Sequence, residues 1–235
     1  MVGLTTRDVL DVADAGEFID WTSRGVLLTG CAWPHASAEE CAALPIGIRD
    51  RLLLALRLRT FGSEMLVRFR CPSCAAQLEA RLDLAALLAA HPAEPPSRIA
   101  VDVCGETVDV RLPTSADLLA AAGLPEEESA RVLFERCLLS APPIDQATLR
   151  RSVSEAVAAA DPISALDVEL ECDVCHARSS ESFDIVSSFW KEIEVAARHA
   201  ASDVHALARV YGWPEDVILA MTPARRARYL AMTQS

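Results

Sequence analysis

Two Cys-x-x-Cys steps, Cys71-Pro-Ser-Cys74 and Cys172-Asp-Val-Cys175, lie about a hundred residues apart in this chain. Four thiolates are a ligand set that a structural zinc ion takes, and a two-residue spacing within each pair is usual at such sites. The sequence therefore predicts one four-cysteine zinc site that ties two distant segments together, with Cys71, Cys74, Cys172 and Cys175 as its ligands.

The two cysteine pairs also lie in matching surroundings. Each follows a run that alternates apolar and polar residues, 65–70 for the first pair and 166–171 for the second. Each precedes another extended run that ends in an aspartate able to cap a helix, Asp83 and Asp184. Both halves therefore predict the order strand, knuckle, strand, helix. Because a lone hairpin buries little apolar surface, a shared metal would stabilise both.

The cysteine pairs allow three interpretations besides zinc. A redox dithiol needs only one pair, usually at a helix N-terminus within a βαβ unit. A disulfide framework needs an oxidising compartment, and the run Met1 to Asp8 carries no apolar signal segment. The pairs could also be buried core thiols. His176 adjoins the second pair and could replace one of the cysteine ligands. The four other cysteines are expected to be unliganded core thiols: Cys31, Cys41, Cys104 and Cys137.

Composition limits the class of partner. The chain has 235 residues, of which 51% are hydrophobic and 5% aromatic, and its formal net charge is −12. No apolar run approaches the roughly twenty residues that span a bilayer, so we expect no membrane partner and a cytoplasmic protein. The negative field repels phosphate backbones and few aromatics are present for stacking on bases, so nucleic-acid binding is not expected.

The order of these signals predicts a mainly helical α+β fold in which two small zinc-knuckle β-hairpins share one four-cysteine site. We expect five segments along the chain. They are an N-terminal, mostly helical segment (1–64), the first zinc-knuckle hairpin (65–84), an inserted β-hairpin plus helical lobe (85–165), the second zinc-knuckle hairpin (166–184) and a C-terminal helical hairpin (185–235).

The N-terminal segment gives weaker signals. Residues 11–21 predict a helix, with Gly25 and Gly30 marking turns after it. Ser37 opens a capping box before a short helix. Arginines and leucines alternate with helical period over 48–61. The basic side of this helix, with Arg49, Arg51, Arg57 and Arg59, could be functional, but we expect it to be merely solvated.

The inserted segment opens with a proline-rich break at 91–96. An alternating run over 99–112 predicts a β-hairpin. Three helices should follow, the first capped by Ser115, the second opened by Pro125 and the third capped by Asp145.

The C-terminal segment gives the clearest helical signal. Apolar residues recur every three or four positions over 185–211 and predict one long helix that ends near Gly212. A short helix and a basic last helix follow. A DNA-binding helix-turn-helix is one interpretation, but the net charge favours a packed helical hairpin that docks on a partner protein. The candidate contact residues are Trp213, Arg225, Arg226 and Tyr229.

Several segments together carry a resemblance to a known family. They are the run from Leu44 to Arg57, Phe61-Gly62, the two cysteine pairs, Ala160-Asp161-Pro162, the run from Phe189 to Ile193, and the C-terminal runs from His205 to Leu219 and from Arg225 to Leu230. In order and spacing, from about residue 44 to the C-terminus, they resemble phage baseplate proteins related to the hub assembly chaperone of contractile-tailed phages. One departure is that Ala75 and His176 follow the cysteine pairs, where zinc knuckles usually have glycine.

The resemblance implies a role in building or forming the inner baseplate of a phage tail or of a related contractile injection system. The implied partners are other baseplate, hub or spike proteins, and the protein could be incorporated into the particle. We expect no enzyme, because four thiolates leave no open position at zinc and no common catalytic motif occurs. The alternatives are a zinc-ribbon regulatory protein that binds nucleic acid or transcription machinery, and a thiol-disulfide enzyme.

Overall fold

The computed structural model describes residues 2–91, 94–140 and 143–233, and in them the chain is mainly helical. The helices are α1 (Thr6–Ala15), α2 (Trp21–Ala32), α3 (Ala38–Ala43), α4 (Ile46–Phe61), α5 (Leu84–Ala90), α6 (Ser115–Ala121), α7 (Glu126–Cys137), α8 (Gln146–Ala160), α9 (Ile185–Tyr211), α10 (Glu215–Leu219) and α11 (Pro223–Thr233). The strands are β1 (Glu64–Arg70), β2 (Gln77–Asp83), β3 (Arg98–Val103), β4 (Glu106–Arg111), β5 (Asp167–Glu171) and β6 (Arg178–Ser182).

The strands of these described residues pair as three antiparallel hairpins, β1 with β2, β3 with β4 and β5 with β6. The first and third carry the cysteine pairs at their tips. The predicted α+β class, mainly helical with two small cysteine-bearing hairpins, is therefore confirmed. The hairpin predicted at 99–112 is confirmed as well.

The N-terminal residues form two helices, so the prediction of one helix over 11–21 is wrong. The first begins after Thr5, whose hydroxyl accepts a hydrogen bond from the backbone N–H of Asp8, while the Asp8 carboxylate accepts one from the backbone N–H of Thr5. The second begins after Asp20, whose carboxylate accepts two backbone hydrogen bonds. Both starts fit ordinary capping chemistry, which the prediction overlooked. The capping box at Ser37 is confirmed.

Gly25 and Gly30 lie inside α2, so the turns predicted there do not exist. A Cβ at position 25 would lie 3.2 Å from Cγ2 of Val186. The glycine is therefore explained by the close packing of α2 on α9. Glycine serves close approach as well as turns, and the sequence alone does not distinguish the two uses.

The main core lies where α1, α2, α4 and the first hairpin meet the N-terminal half of α9. Phe189 and Trp190 of α9 are among its fully buried side chains. A Cβ on Gly16, just after α1, would lie 2.0 Å from the Trp190 ring. The helix α9 thus serves as the central support on which both the N-terminal helices and the first hairpin pack.

The arginines of α4 correct another prediction, because Arg49 and Arg57 are buried at 6% and 3% exposure. The Arg49 side chain donates to Asp50 at 2.7 Å, and Arg57 donates two hydrogen bonds to Glu192 at 2.8 and 2.6 Å. Only pairing makes such burial tolerable. The expected solvated face fails because α4 is enclosed by α2, α5 and α9, although Arg59 is exposed.

The inserted lobe has a separate small core between the hairpin β3–β4 and the helices α7 and α8. The helix α6 is capped by Thr114, so the prediction of Ser115 is off by one residue. Asp117 completes this capping box and also accepts hydrogen bonds from Arg111 and Arg136. Burial alone would raise the pKa of Asp117, but these hydrogen bonds hold it well below its usual range.

The starts of α7 after Pro125 and of α8 after Asp145 are confirmed. In the proline-rich break at 91–96, residues 92 and 93 lie outside the described residues. At the C-terminus, the long helix that ends at Gly212, the short helix and the final helix are confirmed. Across the described ranges, no helix is long and apolar enough to cross a bilayer.

Candidate metal site and C-terminal aromatic cluster

The two hairpins bring all four predicted cysteines together. The Sγ atoms of Cys71 and Cys175 lie 3.7 Å apart, those of Cys74 and Cys172 lie 3.6 Å apart, and all four lie within 4.8 Å of one another. Tetrahedral zinc with Zn–S bonds of about 2.3 Å separates its sulfurs by about 3.8 Å. Both of these close contacts join one hairpin to the other, so one ion at the centre would bridge the two hairpins.

The two knuckles have the same backbone geometry. The backbone N–H of Cys71 donates to the carbonyl of Ala76 at 2.8 Å, and that of Cys172 donates to Ala177 at 2.9 Å. The strands then end at helix caps, where Asp83 and Asp184 each accept two backbone hydrogen bonds from the helix that follows. The internal repeat predicted from sequence is therefore present as a repeated structure.

The residues after each pair have left-handed backbone conformations. Ala75 has φ of 60° and His176 has φ of 58°. Side chains with a Cβ adopt this region at a cost of about 1–2 kcal/mol. The departure from glycine noted in the sequence has thus not changed the turn. Each knuckle keeps the glycine conformation and is strained.

The pKa values of Cys71 and Cys74 are shifted in opposite directions. Backbone N–H groups of Cys74 and Ser73 hydrogen-bond the Cys71 sulfur and lower the pKa of Cys71 to about 7. Cys74 accepts from the N–H of Ala76, which favours its thiolate, yet the neighbouring thiols outweigh this and raise the pKa of Cys74 to about 12. One thiolate forms readily and further ionisation is opposed. A bound cation would remove that opposition.

Burial differs within each pair. The first cysteines, Cys71 and Cys172, are 2% and 0% exposed and pack on Leu78. The second cysteines, Cys74 and Cys175, are exposed. His176 is not among the clustered ligand atoms of the described residues, although the sequence allowed it as a substitute ligand.

The other cysteines follow the core-thiol prediction only in part. Cys41 and Cys137 are buried and Cys31 is half-buried. Cys104 is exposed, so the prediction is wrong for it. Cys104 and Gly105 have φ of 56° and 86° and form the two-residue turn between β3 and β4. Such a turn needs positive φ at both central residues.

Three aromatic rings cluster where α9, α10 and α11 meet. Tyr211 and Trp213 stack with centroids 4.4 Å apart, and Tyr229 meets Trp213 edge-on at 4.9 Å. Trp213 and Tyr229 are half-buried. Both are contact residues predicted from the sequence, whereas the part played by Tyr211 was not predicted, although the aromatics of Tyr-Gly-Trp could have indicated it.

The two predicted contact arginines differ in environment. Arg225 is exposed. Arg226 is 7% exposed, and its Nε donates to Asp203 of α9 at 3.0 Å. The side chain of Arg226 therefore holds α11 against α9, while Arg225 remains open to solvent.

These features define a class of protein: a helical framework in which a four-cysteine cluster joins two hairpins. Residues 26–141 match the model of a family described as T4 bacteriophage base plate protein. Over this segment, just under half of the chain, the protein is similar to a phage baseplate protein family. The match includes the first cysteine pair and most of the inserted lobe. No curated protein and no solved structure gave a match to the chain.

Proposed function

We propose that this protein is a non-enzymatic component, or a hub assembly factor, of the baseplate of a contractile phage tail or contractile injection system. The family match over residues 26–141 is the observation that carries the proposal. The partners are then other baseplate, hub or spike proteins. The protein works in the cytoplasm during assembly or within the finished particle.

We further propose that Cys71, Cys74, Cys172 and Cys175 bind one structural Zn²⁺. The sulfur separations of 3.6 and 3.7 Å and the all-sulfur ligand set support zinc. Thiolate ligands with tetrahedral spacing favour zinc over the oxygen-seeking cations. The ion would hold the two hairpins together.

The proposed absence of catalysis follows from this coordination. A catalytic zinc keeps one position for water or substrate, whereas four thiolates fill the coordination sphere. The exposed sulfurs of Cys74 and Cys175 complete the set, so no ligand position is left for a reacting group.

The C-terminal helical hairpin is our proposed docking surface. It presents the half-buried rings of Trp213 and Tyr229 next to the exposed Arg225. Aromatic and arginine side chains are the residues most enriched at the energetic centres of interfaces. Arg226 would support this surface from beneath through Asp203.

The test is co-expression with the baseplate, hub and spike proteins encoded in the same gene cluster, followed by size-exclusion chromatography. We expect a stable complex with at least one of them. Arg225→Glu, and truncation before Thr222, should abolish co-elution, while Arg151→Glu on exposed α8 is the matched control.

Two results would contradict parts of the proposal separately. A complex that survives truncation would refute the docking surface alone. The absence of any complex, together with duplex DNA binding that weakens steeply with salt, would replace the baseplate role by that of a zinc-ribbon regulatory protein.

A further inference from the structure

A groove of about 650 Å³ runs between the first cysteine hairpin and the long helix α9. Residues 66–69 of β1 form one wall. The opposite wall is one face of α9, on which Ser188, Val195 and His199 recur at helical spacing. The groove belongs neither to the thiol cluster nor to the aromatic cluster. His199 precedes Tyr211 by twelve residues, about 18 Å along the helix.

The free edge of strand β1, the edge that is not paired with β2, faces this groove. Side chains from both of its faces line the groove, Leu66 and Arg68 from one and Val67 and Phe69 from the other. Residues of β2 do not line it, so the groove lies on the side of β1 away from β2. An edge position is what allows both faces of a strand to contribute.

This strand edge has unpaired backbone groups. Hydrogen bonds from Leu84 to Ser63 and from Cys71 to Ala76 mark the two ends of the β1–β2 ladder. In an antiparallel pair such bonded positions alternate, so Leu66 and Arg68 direct their backbone N–H and C=O away from β2. Within the described residues, no hydrogen bond reaches these outward groups. An exposed strand edge of this kind is a template for another strand.

The groove has the length of a short extended segment. The helical wall from 187 to 199 spans about 18 Å at the helical rise per residue. An extended chain of about five residues covers the same distance. Leu66 and Val195, at 46% and 42% exposure, offer apolar surface for alternate side chains of such a segment.

The uncompensated charge of the groove is positive in a chain of net charge −12. Lys191 is the only lysine of the chain, lines the groove and forms no ion pair with the described residues. The other charged residues of the groove already have partners: Arg57 pairs with Glu192, Arg68 pairs with Glu79, and the Asp184 carboxylate caps α9. An occupant with an acidic side chain is therefore favoured.

We propose that this groove binds an extended, acidic segment of a partner protein, which adds a strand to the free edge of β1. Backbone hydrogen bonds to Leu66 and Arg68 supply the pairing. Apolar side chains of the segment pack between Leu66 and Val195, and an acidic side chain meets Lys191. This mode of binding goes beyond the baseplate role and does not depend on it.

A library of random twelve-residue peptides, displayed and selected on the immobilised full-length protein, is the probe. We expect enriched sequences that alternate apolar residues with others and carry at least one Asp or Glu. The affinity of an enriched peptide is then measured by fluorescence polarisation for the protein and its variants.

The decisive comparison is Arg68→Pro against Arg68→Ala. Both remove the exposed Arg68 side chain, but only proline removes the outward N–H, which β2 does not use. We expect the proline variant to bind about tenfold more weakly than the alanine variant. Arg81→Pro removes an outward N–H from the far edge of the same hairpin and is the matched control, with unchanged affinity expected.

A second pair of variants tests the groove itself. Ala196→Trp should block it and abolish peptide binding, and Lys191→Glu should weaken binding by about threefold, an effect that high salt diminishes. Thermal melting of each variant excludes unfolding as the cause. Equal binding by Arg68→Pro and Arg68→Ala, or enriched peptides that bind Ala196→Trp as well, would overturn the proposal.

Discussion

The buried carboxylate of Asp161 accepts a hydrogen bond from the backbone N–H of Gly47 at 2.9 Å, across 114 positions of sequence. Gly47 lies in the first turn of α4, whose own cap residue, Pro45, offers no side-chain hydrogen bond. Asp161 therefore acts as a distant cap for α4 and fixes the end of the inserted lobe to the main core. The second cysteine hairpin begins a few residues later, so this contact helps to align it with the first.

Substitution of Gly47 by alanine should break this contact. A Cβ at position 47 would lie 1.7 Å from Oδ1 of Asp161, so the carboxylate must move away and lose its hydrogen bond to the Gly47 N–H. We expect a loss of about 2–4 kcal/mol in the free energy of unfolding, measured with urea. Gly30→Ala in α2, where a Cβ would meet nothing within 4 Å, is the control and should leave stability equal or higher.

Replacement of the buried ligand Cys172 by serine should remove the metal and destabilise the fold. Because a structural site forms only when the chain folds, its binding free energy contributes to folding. We expect about one zinc per chain in the parent protein, none in Cys172→Ser, and a fall in Tm of well over 10 °C. Elemental mass spectrometry and calorimetry measure both quantities.

Cys104→Ser, at the exposed β3–β4 turn, is the matched control for that experiment. It should keep full metal content and the parent Tm. A Cys172→Ser protein that retains zinc and melts with the parent would show that the thiol cluster does not hold a structural ion.

Those elements whose signals are local in the sequence were predictable. The helix caps at Asp83 and Asp184 and the repeated cysteine pairs depend on residues a few positions apart, and the sequence placed each correctly. The joining of the two pairs into one cluster was also predictable, because the number and type of ligands required it.

The caps at Thr5, Asp20 and Thr114 were missed although their signals are local, whereas other failures concern long-range burial. Arg49 and Arg57 were expected in solvent because their helix looks basic, yet their partners include Ser115 and Glu192, far away in sequence. The groove beside β1 could not be predicted from the sequence either. Its walls come from a strand and a helix more than a hundred residues apart, and no local pattern marks a free strand edge.

The stability of the protein should depend on the ionisation of Asp50. The pKa of Asp50 is raised to about 6, mainly by burial. Arg49 partly offsets this shift, whereas the nearby carboxylates of Asp184 and Asp161 add to it. The unfolded chain releases this proton near pH 4. The folded protein therefore binds more protons between about pH 4 and 6, and the contribution of Asp50 to stability falls as the pH rises through that range.

Asp50→Asn isolates this effect, since asparagine has no proton to lose. As the pH rises from 4 to 6, the parent should lose free energy of unfolding relative to Asp50→Asn. This difference should level off above about pH 7. Urea titrations at several pH values measure it. Asp145→Asn, at an exposed helix cap, is the control. A difference between the parent and Asp50→Asn that stays constant from pH 4 to 6 would contradict the raised pKa of Asp50.

Glycine at the strained knuckle positions should stabilise the protein. Ala75 and His176 have φ near +60°, where a Cβ costs about 1–2 kcal/mol and glycine costs little. Part of this gain is offset because glycine adds freedom to the unfolded chain, by about 0.4–1 kcal/mol. We therefore expect Ala75→Gly and His176→Gly each to raise the free energy of unfolding by about 0.5–1 kcal/mol in the metal-bound protein. Ala177→Gly, one residue further and outside the left-handed region, should lower it, and a matching gain there would refute the role of backbone strain.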